Sequence, residues 1–289
     1  MRSVADIIVQ GILLGGLYAL FATGLSLVFG VMRLVNLAHG DFIVVAAFAA
    51  FCVVSALPVH PFVAILAVVP FMAGLGYLLQ IGLFNRLLGN NPLRSLLVTF
   101  GVSVILQNML LMIFSADTRR LSAGSIETQS VDVGAVAIGV YPVVVFAIAL
   151  AVTMTLQWVF YSTSLGQRLR ATSDDPEIVG LVGINHLRVF AIASAIGFAV
   201  IGVAGVLMAV RGNFDPFLGP SRLLVAFEAV IIGGLGNFWG TLVGGIVIGL
   251  AQSFGAGIDP SYQTIAGHIV FFLVLLLWPD GLFPKVAHQ

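Results

Sequence analysis

The chain has 289 residues, 60% of them hydrophobic and only 8% charged, where a soluble globular domain carries roughly 25% charge. A mean hydropathy of +1.13 and several charge-free apolar runs of about 20 residues exclude a soluble domain and describe a polytopic helical membrane protein. Twelve Lys and Arg balance twelve Asp and Glu, so no basic surface is available to neutralise a nucleic-acid backbone, and DNA and RNA are set aside as partners.

Further classes fall to single residues. The one cysteine, Cys52, allows neither an internal disulfide nor a cysteine metal cluster. The one lysine, Lys285, stands between Pro284 and Val286, so the GxxxxGK[ST] phosphate-binding loop is absent. GxSxG, HExxH and Cys/His metal spacings are missing as well, leaving embedded enzyme chemistry and a metal site without support. The first apolar run is too long for a signal peptide and is expected to be retained as a spanning helix.

In chain order, Ile7 to Met32 runs without a charge, Arg33 to Asp41 (RLVNLAHGD) interrupts it, and Phe42 to Leu57 continues as an apolar run too short to span comfortably. His60 and Pro61 precede a span from Phe62 to Phe84, the polar loop Asn85 to Arg94, and a span from Ser95 to Ala116. Residues 117–140 alternate polar with small or β-branched residues and predict an ordered extracytoplasmic loop with a short hairpin. Tyr141 to Tyr161 spans next, residues 162–188 form the longest charged loop, and Val189 to Val210 spans again. A Pro/Gly-rich turn follows over 211–222. Leu223 to Leu235 is apolar but short, GGLGNFWG (233–240) breaks it, Thr241 to Gly255 is a second short piece, and Ile265 to Trp278 is the final helix, closed by Pro279 and Gly281.

The expectation is an all-α fold of about eight membrane segments in one transmembrane domain over 1–289, including broken or re-entrant helices, with 223–255 as one such segment. Short apolar pieces around a polar or glycine-rich break occur near residue 36 and near residue 236. Paired interruptions in two halves point to a transporter built as an inverted repeat with its pathway at the breaks; ordinary loops between ordinary spans are the other reading. With the 162–188 loop cytoplasmic, alternation places Arg86, Arg94, Arg168, Arg170, Arg188 and Lys285 inside and Arg119, Arg120, Arg211 and Arg222 outside. That assignment puts the N-terminus outside, against the preference of Arg2.

Three groups of residues carry the functional reading. In SDDPEIVGLVGIN, Asp174 or Asp175 is an N-cap, Pro176 and Glu177 suit the first turn, and Gly183 suits a stop. Ile178, Leu181 and Val182 share one face of this two-turn helix, which needs a groove to be stable. The groove belongs either to a cytoplasmic partner or to the protein's own helix ends. Asn36, His39, Gly40 and Asp41 form a polar cluster inside apolar sequence, placed to cap broken helix ends or to face a pathway. On the first reading His39 satisfies a freed carbonyl and Asp41 is an N-cap.

Glu228 is the sole acid between Leu223 and Leu250, and a shallow ionisable residue there either holds Arg222 or Arg211 or attracts a substrate ammonium. Gly233, Gly234, Gly236 and Asn237 make the second break, and Gly240, Gly244, Gly245 and Gly249 continue a small-residue stripe suited to close helix contact.

GGLYALFATGLSLVFGVMRLVNLAHGDF (15–42) closely resembles the opening of the branched-chain amino acid ABC transporter permeases of the LivH type. GQRLRATSDDPEIVGLVGINHLRV (166–189) is similar to that family's cytoplasmic loop, IIGGLGNFWGTLVGGIVIGL (231–250) to its Gly-rich segment, and LWPDGLFP (277–284) to its C-terminal signature. Asn36 and His39 match its N-x-A-H-G run, whereas Val179 and Gly180 stand where small Ala residues are common.

The resemblance implies a multi-pass permease subunit of the bacterial cytoplasmic (inner) membrane. It would pair with a second, LivM-like permease subunit, carry two cytoplasmic ATPases and receive solute from an extracytoplasmic binding protein. It holds no cofactor, ATP being bound by the partner subunits. The helix at Pro176 to Val182 would be the coupling helix, with Arg168, Arg170, Asp174, Asp175 and Glu177 as its polar surround. The wider family carries urea, amides and aromatic acids as well as Leu, Ile and Val. Competing readings are a stand-alone secondary transporter or channel using Asp41, His39 and Glu228 as ion sites, and a membrane scaffold.

Overall fold

The computed structural model describes residues 4–88, 92–133 and 136–283. Arg2, Pro284 and Lys285, together with 89–91 of the Asn85 to Arg94 loop, lie outside the described residues. With no water in hydrocarbon, each spanning segment must satisfy its own backbone, and each is a helix. They are α1 (Val4–Met32), α2 (His39–Ala56), α3 (Pro61–Gly82), α4 (Pro92–Phe114), a short α5 (Ser125–Thr128), α6 (Val140–Ser162), α7 (Ser164–Asp174), α8 (Pro176–Leu181), α9 (His186–Arg211), α10 (Gly219–Gly233), α11 (Phe238–Ile258) and α12 (Tyr262–Leu277). Seven of the described helices are long and apolar enough to cross a membrane, and α12 is a shorter apolar helix.

Strands β1 (Ser130–Val133) and β2 (Val136–Gly139) pair antiparallel, Ser130 opposite Gly139, as the hairpin expected between α4 and α6. The hairpin marks one end of the bundle, where Gln10 Nε2 donates to Ala137 O (3.0 Å) and the Leu121 amide donates to Ala209 O (2.9 Å). The other end carries α7 and α8, where Ser173 Oγ donates to Gly30 O (2.7 Å) and Ser194 Oγ donates to Gln80 Oε1 (2.5 Å).

Two helices start inside the bundle. The chain leaves α1 at the α8 end, returns inward through 33–38 and begins α2 beside the middle of α1, where the His39 ring meets Phe21 O (2.8 Å). It leaves α9 at the hairpin end, returns inward through 212–218 and begins α10 against the start of α2: a methyl on Gly40 would collide with Gly219 O, and one on Gly219 with the Asp41 carboxylate.

From that meeting point α2 runs to the hairpin end and α10 to the α8 end. The 15 residues of α10 rise about 22 Å, short of a hydrocarbon core of about 30 Å. The main packing repeats this inversion: α1 lies along α11 as α9 lies along α3, and α10 touches α1 as α2 touches α9. Helices α1–α4 and α9–α12 are therefore two inverted copies joined by the hairpin, α6, α7 and α8.

The expected second break is displaced. The partner of the 33–38 interruption is 212–218, whose proline, glycine and flanking arginines read as an extramembrane turn. Irregular backbone at that depth survives because protein surrounds it. Phe214 is fully buried against Phe48, and its backbone pairs with Arg119, while the Phe217 amide is taken by Asp215 Oδ1 (2.8 Å).

Only 234–237 lie between the helices, as a tight turn with Gly234 at φ +92° and Gly236 at φ +78°, and α11 runs unbroken as a helix of spanning length. The expected short piece Thr241 to Gly255 thus lies inside one long helix. Its glycines serve close packing: a methyl on Gly245 or Gly249 would strike the backbone of α1, and one on Gly244 the backbone of α10.

Candidate functional site

The polar cluster at the start of α2 is wired to backbone. Asn36 Oδ1 accepts from the Ala38 amide (3.0 Å), and the Leu37 amide donates to Thr99 Oγ1 on α4 (3.1 Å). His39 is buried with its Nε2 against Phe21 O (2.8 Å), and since a carbonyl only accepts, Nε2 carries the proton. Asp41 is buried where the N-termini of α2 and α10 converge, and its Oδ1 accepts from Gln107 Nε2 (3.0 Å). A carboxyl oxygen at two helix N-termini meets partial positive charge from both, and Asp41 sits where α2 and α10 meet. Its Oδ2 has no hydrogen-bond partner.

The other expected pathway residues are not gathered here. Gly233, Gly234, Gly236 and Asn237 lie at the α8 end of α10, with Gly236 against Gly30 and Asn237 Oδ1 capping α11 through the Gly240 amide (2.9 Å). Glu228 holds neither Arg222 nor Arg211. Its Oε1 bonds to His268 Nδ1 on α12, and its Oε2 is buried without a partner. His268→Ala should therefore strand a buried carboxyl group and lower stability by about 1–3 kcal/mol. Thermal unfolding of the purified protein checks it, and adding Glu228→Gln should recover part of the loss.

Arg222 is partly buried, with its Nε shielded from solvent. With Arg211 it lines a cavity of about 210 Å³ whose other walls include Tyr18, Phe21 and Met208. Tyr18 Oη donates to Gln252 Oε1 (2.6 Å), both residues buried, which fixes the ring at this wall. A wider space of about 440 Å³ toward the hairpin end shares Leu14, Arg211 and Gln263 with the cavity and adds Asp6 and Gln10.

At the opposite end α7 is bound to the bundle and α8 is presented. Arg170 does not surround α8: its guanidinium donates to Phe160 O and lies over the Tyr161 ring (5.1 Å), anchoring α7 to the end of α6. Asp175 is the N-cap of α8, its Oδ1 accepting from the amides of Glu177 (2.9 Å) and Ile178 (3.0 Å), and Gly183 at φ +81° is the stop.

Val179 faces inward at 5% exposure, while Ile178, Leu181 and Val182 are 59%, 87% and 71% exposed. The apolar stripe thus points away from the protein's own helix ends. Arg168 is exposed on α7, and Asp174, Asp175 and Glu177 line a groove of about 840 Å³ with Arg33 and His186.

A family profile described as the branched-chain amino acid transport system permease component matches residues 7–278. The chain belongs to that family. It is 28% identical to the high-affinity branched-chain amino acid transport system permease protein BraD of Pseudomonas aeruginosa, over 96% of this chain and 95% of that one. It is 26% identical to the permease proteins LivH of Salmonella typhimurium and of Escherichia coli K12, in each case over 96% of this chain and 94% of the relative. No solved structure matches.

This permease-family member is a multi-pass membrane transport component. Several residues of its interior gave little signal in the sequence. Thr99 and Gln107 on α4 and Gln252 on α11 gave no signal in the sequence, and their partners are on other helices or at the start of α2. His268 was legible as the one histidine in the last helix, but not as the partner of Glu228. Among the described residues no group of three His, Cys, Asp or Glu is placed to hold a metal ion.

Proposed function

We propose that this permease is the membrane subunit of an ATP-driven importer of branched-chain amino acids or a chemically similar small solute in the bacterial cytoplasmic membrane. A second permease subunit of LivM-like type completes the pathway. Two cytoplasmic ATPase subunits bind at the α8 end, and an extracytoplasmic binding protein delivers solute at the hairpin end. The chain itself holds no ATP and no other cofactor. The observation that carries the ATPase docking is α8, whose capped turns turn three apolar side chains outward, an arrangement that needs a partner's groove to leave water. The printed names of BraD and LivH support the substrate class.

A stand-alone transporter using His39 and Asp41 as ion sites gains no comparable support, because the His39 ring is bound to Phe21 O and Asp41 to Gln107 and the start of α10. Purification of the tagged protein from its native membrane in mild detergent, with mass spectrometry of what accompanies it, tests the reading. An ATPase and a second permease should co-purify, and vesicles should take up solute only with ATP inside. A single species that concentrates solute without ATP would overturn it.

A further inference from the structure

Two guanidinium groups line the inner cavity of about 210 Å³, and none of the residues lining that cavity is acidic. Arg222 has its Nε buried with no hydrogen-bond partner. Glu228 Oε1 is held by His268, Asp215 acts on Arg222 electrostatically while its Oδ1 takes the Phe217 amide, and Asp6 shares the outer space with Arg211. Arg222 is partly buried and Arg211 is exposed; a partly desolvated guanidinium is stabilised by an anion, and an arginine fork suits a carboxylate through two parallel N–H donors. The rest of the lining is mixed, with Leu17, Phe21 and Met208 forming an apolar part beside Asn213 and Gln263. A volume below the ~300–1,000 Å³ of drug-sized pockets suits a small solute.

We propose that this cavity, between α1, the end of α9 and the start of α10, is a solute site in which Arg222 and Arg211 bind the carboxylate and Leu17, Phe21 and Met208 bind the branched side chain. The site deepens the importer reading and rests on it for the identity of the solute. Because Arg222 is in the first turn of α10, which begins against Asp41, an occupied carboxylate site touches a helix whose other end meets α11 where Gly233 packs on Gly240, and the turn after it meets α1 where Gly236 packs on Gly30. Solute binding is thereby tied to the helix that runs from the middle of the bundle to its α8 end.

The test uses the full permease complex in nanodiscs, with thermal stabilisation and direct binding read for L-leucine, isovalerate (the carboxylate without the amine), isoamylamine (the amine without the carboxylate), benzoate and urea. Leucine and isovalerate should bind and isoamylamine should not. Arg222→Gln should weaken leucine about ten- to hundred-fold, the loss of a charge-assisted bond, and Arg222→Lys should restore part of it. Co-purification of the partner subunits and the unliganded melting temperature show that each variant is folded. Binding of benzoate but not leucine, lost in Arg222→Gln, would keep the carboxylate site and overturn the branched-chain reading. Equal binding of isoamylamine, binding of urea alone, binding indifferent to Arg222, or no binding of any carboxylate by the wild-type complex would overturn the site.

Discussion

Replacing Leu181 by Asp is expected to abolish ATP-dependent uptake while leaving the protein inserted and folded. The side chain is 87% exposed, so within this chain it makes few contacts to lose, and a surface substitution of that kind stays within about 0.5 kcal/mol of stability. In a partner's groove the same leucine would bury its apolar surface. Losing that burial and desolvating a carboxylate in its place costs at least about 2 kcal/mol, roughly a 30-fold loss of affinity. The ATPase should therefore fall away from the purified complex, with the melting temperature of the permease itself unchanged.

Val179→Asp is the contrasting variant. Val179 is buried, so its replacement should destabilise α8 within the chain rather than act only on a partner. Wild-type uptake by Leu181→Asp, with the ATPase still bound, would remove α8 from the docking surface.

That contrast marks what could be read from the residues and what could not. The Asp175 cap, the Gly183 stop and the spacing of Ile178, Leu181 and Val182 are local features, and the helix formed as the spacing requires. Which way the stripe faces is set by Ser173 on Gly30 and Arg170 on Phe160, contacts with distant helices that the local pattern does not contain. The same limit explains Glu228, whose partner is on another helix 40 residues away. The interruption at 33–38 was legible because charge and Asn-x-Ala-His break an apolar run. The matching one at 212–218 was not, because Pro, Gly and Arg look alike in a water-exposed turn and in a segment enclosed by Phe48 and Arg119. The small-residue stripe of Gly240, Gly244, Gly245 and Gly249 was legible as a close-contact face, and it brings the α11 backbone against α1 and α10.

The inverted repeat predicts where the fold is least tolerant. Gly40 and Gly219 occupy matching places at the starts of α2 and α10, and each lacks room for one methyl group: a carbon on Gly40 meets Gly219 O and the Leu223 amide, and one on Gly219 meets the Asp41 carboxylate. The obstacles are backbone or a side chain held by Gln107, so a rotamer change cannot relieve the clash. Overpacking costs of about 1–3 kcal/mol in cores whose side chains can shift are a lower bound here, and Gly40→Val or Gly219→Val should exceed about 3 kcal/mol.

The expected result is loss of detergent-stable protein and of bound partners together. Gly74→Val on α3, where nothing lies within 4 Å of an added methyl, should change neither. The comparison also separates packing from the charge at the junction. Asp41→Asn retains an oxygen for Gln107 and the same volume, so it should leave the protein folded and lower its melting temperature less than Gly40→Val. A Gly40→Val protein that unfolds at the wild-type temperature would mean that α2 and α10 do not meet at their N-termini.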